Sequence, residues 1–249
     1  ALASPYGSID HRAMERLRAK IDLAHRSANL IRITCPAGTE LIGADTPGNS
    51  VKDTHALRFP LSVHTPISCS GFSGRIAQTG FLVGTGSRFY DPYAIEIEST
   101  LVVHVDRGRI SGFDGPSAEA ARAHYLQIAD RYGIDPWTIH SWHGGIHPAC
   151  DFPEPASHNF ERWSGAAFGN PRLMHFHTCG EYAPGEICLN LLDPSVEVDG
   201  VPIKKEGRIH VAPLRNDSDP PGIADELNQA LLEPTQRCGE APGGGLRFG

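Results

Sequence analysis

The sequence lacks the features that would mark it for a membrane, a polyanion or an oxidising compartment. No apolar run approaches the roughly 20 residues needed to span a bilayer, and the opening residues do not read as a charged-then-apolar leader. Lys and Arg number 22 against 29 Asp and Glu, for a formal charge of −7, and the basic residues are scattered, so there is no electrostatic footprint for nucleic acid. Six cysteines (Cys35, Cys69, Cys150, Cys179, Cys188 and Cys238) are widely spread with no C-x-x-C pair, which fits reduced, mostly buried thiols better than a disulfide framework. A G-x-S-x-G elbow, a P-loop, a G-x-G-x-x-G turn and an H-E-x-x-H helix are all missing. These absences leave a cytoplasmic protein whose partner is a small molecule as the expectation.

What is present suits a packed core: hydrophobic residues make up 40% of 249 positions and charged ones 20%. Residues 9–27 read as a helix, with Ile9, Met14, Leu17, Ile21 and Ala24 on one side and charges opposite. A strand follows at Leu30 to Thr34. Residues 43–100 hold Gly, Pro, Ser and Thr between short apolar runs, predicting short strands and loops.

Leu101 to Phe113 reads as a hairpin around Asp106-Arg107-Gly108. A helix begins after Gly115-Pro116, carries Ala118, Ala121, Tyr125, Ala129 and Tyr132 at helical spacing, and stops at Gly133. Trp137 to Trp142 predicts a strand, Val196 to Ile203 a hairpin around Asp199-Gly200, and Ile223 to Leu232 a short helix. The sum is an α+β fold: a strand-rich domain with a mixed or antiparallel sheet, or open barrel, and a few peripheral helices. The expected division is a joining helix over 1–27, a metal-binding catalytic domain over 28–240 and a flexible tail over 241–249.

Six of the thirteen histidines fall between positions 140 and 177: His140, His143, His147, His158, His175 and His177. On a strand, side chains two apart share a face, so His175 and His177 point the same way. Glu181 and Glu186 follow beyond a Gly/Pro turn. Imidazole plus carboxylate suits iron, zinc or manganese, and a mononuclear iron site needs only two His and one carboxylate. The bland readings are a half-exposed strand with alternating His and a glycine-rich loop with incidental ones; the coincidence of both segments with two glutamates favours a metal. The lone histidines His25, His55, His104, His124 and His210 read as surface or satisfied residues. Cys179 is either a nucleophile or a buried thiol beside the site.

The order of motifs adds a resemblance. A strand leads into Gly38-Thr39-Glu40-Leu41; then come the hairpin of Val103 to Ile110, a helix, a G-x-x-P segment at Gly145 to Pro148, and the Val-Asp-Gly hairpin. This series resembles the C-terminal domain shared by 2,5-dihydroxypyridine 5,6-dioxygenases and thermophilic-type metallo-aminopeptidases, over roughly residues 28 to 210. The resemblance implies an additional N-terminal α/β domain, as a preceding segment or a separate chain, and a homo-oligomer. It places one metal-binding histidine at His140, with His143 competing. The family's His-x-Asp pair falls on Glu186 and Cys188, so the pattern is broken there: Glu186 would supply oxygen, and His175 or His177 the missing imidazole.

Three functions follow. The first is a mononuclear non-haem iron dioxygenase opening a hydroxylated aromatic or N-heterocyclic ring. Its ligands would be His140 or His143, His177 and Glu186, with His175 orienting substrate or moving a proton, and Fe(II) the expected cofactor. The second is a Zn(II) or Mn(II) hydrolase of an amide, peptide or cyclic amide, with Glu181 or Glu186 as base. The third is a non-enzymatic metal-binding or subunit-interface module.

Overall fold

The computed structural model describes residues 7, 9–45, 61–85, 90–211, 223–234 and 236–248. Among them the chain forms twelve strands and four α-helices in an α+β arrangement. The first half contributes α1 (His11–Arg26), β1 (Ile31–Thr34), β2 (Glu40–Gly43), β3 (Ile67–Ser68), β4 (Ser73–Val83), β5 (Ala94–Asp106), β6 (Arg109–Asp114) and α2 (Ala118–Tyr132). The second contributes β7 (Ile139–Gly144), α3 (Phe160–Ala166), β8 (Leu173–Cys179), β9 (Glu186–Leu192), β10 (Ser195–Val198), β11 (Val201–Lys205), β12 (Arg208–Ile209) and α4 (Ile223–Leu232). The strands join in one curled antiparallel half-barrel sheet, ordered β12-β11-β10-β1-β2-β4-β9-β8-β7-β3, with β5 along β4 and β6 beyond it. No helix is long and apolar enough to cross a membrane among the described residues.

Turn chemistry explains the hairpins. Arg107 and Gly108 both take positive φ (46° and 71°), as do Asp199 and Gly200 (49° and 81°), the backbone that matches the twist of antiparallel strands. The Asp199 carboxylate also accepts the Leu30 N–H at 2.9 Å, tying its hairpin to the start of β1. Helix α1 opens on the Asp10 side chain, which caps the Arg12 N–H at 2.8 Å. Helix α2 ends on Gly133 in the left-handed conformation.

Two expectations change. Residues 43–100 hold a long hairpin rather than short strands: the eleven-residue β4 pairs with the thirteen-residue β5 from Gly74↔Val105 to Val83↔Ala94. A register shift at Thr79/Gly80 lets so long a ribbon bend; residues 46–60 and 86–89 lie outside the described ones. The strand expected from Trp137 starts two residues later, because the Asp135 carboxylate holds the Trp137 N–H (3.1 Å) and the Thr138 hydroxyl (2.8 Å) in a turn. In the tail Leu246 is buried with Phe81, Val83 and Trp163, and the Phe248 ring packs 5.3 Å from Phe160.

The core is layered by the two faces of the sheet. Trp142, Phe176 and Leu189 lie opposite one another across β7, β8 and β9 and pack toward Tyr125 and Ile128 of α2. On the reverse face Phe81, Val83, Leu173 and Cys188 meet Trp163 and Phe168 from the α3 region. Helices α1 and α4 close a third cluster around Met14, Leu17, Ile146 and Leu227. All six cysteines are free thiols, five of them buried.

Gly145, the residue after β7, lies against backbone: a Cβ there would lie 2.1 Å from the Asn170 carbonyl oxygen. Gly145→Ala is therefore expected to lower stability by about 2 kcal/mol or more, measured by urea unfolding.

Candidate metal centre

Polar and apolar residues alternate along the strands that carry the histidines. Trp142, Met174 and Phe176 face the main core, which turns His143, His175 and His177 to the other side. Register then makes neighbours of residues distant in sequence: His143 lies opposite His175, and Ser141 opposite His177. The Nε2 atoms converge, His143 to His175 at 2.6 Å and His143 to His177 at 3.0 Å. One ligand atom from each of the three lies within 4.8 Å of the others.

This donor set fits a divalent ion. Each neutral imidazole carries one N–H, and a proton on His143 Nε2 serves one neighbour at a time, which leaves lone pairs facing one another. A cation between them satisfies all three. Metal–nitrogen bonds of ~2.0–2.1 Å put nitrogen pairs roughly 3 Å apart, close to the spacing here. Burial, followed by the neighbouring His143 and His177, holds the pKa of His175 well below its ordinary value, so it is neutral and ready to ligate.

The surroundings orient the rings. The Glu186 carboxylate contacts Nδ1 of His177, holding the proton there and aiming the Nε2 lone pair at the centre. Glu186 is fixed in turn by the Tyr90 hydroxyl, which donates to its backbone carbonyl at 2.7 Å. Phe168 stacks on His175 with ring centroids 4.0 Å apart, excluding water from that side. His64 accepts the Gly144 N–H at 2.9 Å through Nε2 and gives its Nδ1–H to Thr65 O at 2.9 Å, so it braces the strand beside His143 as a neutral ring. Tyr90 also lines, with Tyr93, Phe160, Phe248 and Arg131, an open cleft of about 570 Å³.

The residues singled out from the sequence separate clearly. His143, His175 and His177 come together. His140 does not: β7 carries an extra residue between Ile139↔Thr178 and Ser141↔His177, and His140 is that residue, its Nε2 bonded to the Cys179 carbonyl at 2.8 Å. Glu186 stands behind His177 rather than among the converging nitrogens, and Glu181 lies exposed in the turn after β8. His175, read as orienting substrate or moving a proton, is one of the three clustered rings. His147 is buried and His158 exposed, both outside the cluster; Cys179 is a buried thiol whose pKa burial pushes up to about 12.

Three residues escaped the sequence reading. His64 and Lys204 gave no local signal. Asn190 had one: Glu186, Cys188 and Asn190 recur every second position in a strand otherwise apolar, so they share the face of the histidines. Lys204 is buried and donates to the Gly145 carbonyl at 2.9 Å, and burial lowers its pKa to about 7.

No protein family and no curated protein matches the sequence. Among solved structures the fold is similar to a 2,5-dihydroxypyridine dioxygenase from Pseudomonas putida, with a TM-score of 0.54 and 12% identity over 80% of this chain and 60% of that one. It is also similar to wild-type AmpT from Thermus thermophilus, with a TM-score of 0.44 and 14% identity over 84% of this chain and 56% of that one. The chain thus spans little more than half the length of either structure.

Glu186→Gln should weaken binding of a divalent metal by about 10–100-fold, whereas the exposed His104→Ala should leave it unchanged, as read by calorimetric titration. The depressed pKa of Lys204 has a defined sign: between pH of about 7 and 10.5 the unfolded chain holds a proton that the folded chain has lost, so stability rises with pH across that window. Lys204→Met should flatten the rise, seen as urea midpoints that no longer differ between the two ends of the window.

Proposed function

We propose that this chain is the metal-binding catalytic part of a mononuclear non-haem iron dioxygenase that opens a hydroxylated aromatic or N-heterocyclic ring. The observation that carries the reading is the convergence of three imidazole Nε2 atoms on one point, with a buried carboxylate behind one of them. The fold likeness to the 2,5-dihydroxypyridine dioxygenase supports the oxygenase class, and the three-imidazole set suits Fe(II).

His143, His175 and His177 would hold the ion. When bound, it would supply a Lewis-acidic site with open positions at which ring and dioxygen meet. The protein's own groups do the rest. Glu186 keeps the proton on His177 Nδ1, Phe168 shields His175 from water, and His64 fixes the Gly144 amide beside His143. The Tyr90–Tyr93 cleft offers aromatic walls and the Arg131 cation to a planar, acidic ring on the side where Tyr90 touches Glu186. The same reading includes a cytoplasmic homo-oligomer with a further N-terminal domain.

A zinc hydrolase is the second reading, because three neutral imidazoles also suit a zinc ion that lowers the pKa of bound water. Oxygen uptake separates the two. With Fe(II) and 2,5-dihydroxypyridine the protein is expected to consume dioxygen, and His143→Ala should reduce the rate by more than the about 10–100-fold expected for loss of an outer partner. Hydrolysis of an amide substrate by zinc-loaded protein, with no oxygen uptake in the Fe(II) form, would replace the oxygenase assignment.

A further inference from the structure

Asn190 is the anomaly of the site. It lies on β9 directly opposite His175, on the face that carries the three histidines, and is only 3% exposed. Among the described residues neither its amide nitrogen nor its amide oxygen has a hydrogen-bond partner. A buried carboxamide in that state costs stability, and an apolar residue of the same size would fill the position without the cost. Its backbone is nevertheless pinned: the fully buried Gln78 accepts the Asn190 N–H through Oε1 at 2.6 Å, and gives its own amide proton to the Phe81 carbonyl. The fold thus holds an unsatisfied donor and acceptor, side by side, next to the histidine cluster. Nδ1 of His175 on the adjoining strand is likewise buried without a hydrogen bond.

We infer that Asn190 is the specificity-determining residue of this centre, and that it selects a ligand presenting a cyclic amide. The inference rests on the metal-site reading above for its setting. The chemistry follows from complementarity. To satisfy both Asn190 atoms at once, a ligand must offer an acceptor and a donor on the same edge. An open-chain secondary amide is trans, so its C=O and N–H point in opposite directions and only one can be engaged. Ring closure of a lactam forces them onto one edge, where they pair with a carboxamide through two parallel hydrogen bonds. Leaving either Asn190 atom unpaired penalises an analogue that lacks the donor.

The test uses zinc-loaded protein, with zinc affinity measured by calorimetry and ligand binding by titration with 2-piperidone, N-methyl-2-piperidone and N-methylacetamide. At least a tenfold preference for 2-piperidone over the other two is expected. Asn190→Leu should abolish the preference, retain zinc affinity and raise the melting temperature. Asn190→Ala, which removes both carboxamide atoms, should abolish the preference too, so a poorly folding leucine variant leaves a second readout. Equal binding of the three probes, no binding of 2-piperidone, or a preference surviving in both variants overturns the inference. So does a loss of zinc affinity in Asn190→Leu as large as in His143→Ala, which would make Asn190 a ligand instead. Wild-type protein that prefers 2-piperidone but binds no zinc would sink the metal reading and leave the role of Asn190 standing.

Discussion

The pairing register of β7 on β8 is the constraint on which the rest of the molecule depends. Trp142 opposite Phe176 and His143 opposite His175 are consecutive rungs of one ladder. The first sends two large aromatic side chains into the core; the second sends two imidazoles out of it. Side chains on a strand alternate with a period of two, so a slip of one residue would bury the histidines among Tyr125 and Leu189 and turn the tryptophan to the opposite face. Hydrophobic burial of Trp142 and Phe176 therefore sets the position of the converging imidazole nitrogens. Folding energy and site geometry are the same interaction seen from the two sides of a sheet.

The second side is closed by elements that arrive late in the chain. Trp163 and Phe168 from the α3 region, Cys238 and Leu246 pack over Phe81, Val83 and Leu173, and Phe168 lands on His175. The shell that excludes water from the cluster is thus built from the same residues that anchor the tail. Arg172 ties that tail further by pairing with Asp193 (2.6 Å) and Glu240, on either side of β8 and β9. Low-dielectric surroundings then account for the titration behaviour: burial holds the His175 pKa well below its ordinary value and pushes the Cys188 thiol up.

Much of the architecture is legible along the chain. Helix α2 announces itself through spacing and a terminal glycine, α4 falls on the expected residues, and the Arg107-Gly108 and Asp199-Gly200 turns specify their hairpins. The two missed elements have different causes. The length of β4 follows from having β5 along one edge and β2 and β9 along the other, whereas the late start of β7 follows from the local turn that the Asp135 carboxylate holds. The site divides similarly. A spacing of two puts His175 and His177 on one face, and this needs no tertiary information. His140 and His143 cannot be told apart by spacing, because one extra residue in β7 takes His140 out of the alternation and leaves His143 in it. Glu186 reads as an oxygen ligand when only its type and proximity are known; its place behind His177 follows from the pairing of β8 with β9.

The sequence by itself determined the class of the fold, the turn positions, and the presence of a histidine- and carboxylate-rich segment able to meet a metal, because propensity and periodicity act over a few residues at a time. Only the tertiary structure decided which three imidazoles converge, that a carboxylate orients one of them, and that Asn190, Lys204 and His64 are enclosed beside them. Those are contacts across strands and between elements, and the cross-strand register and packing that create them come from the burial of residues distributed over the whole chain.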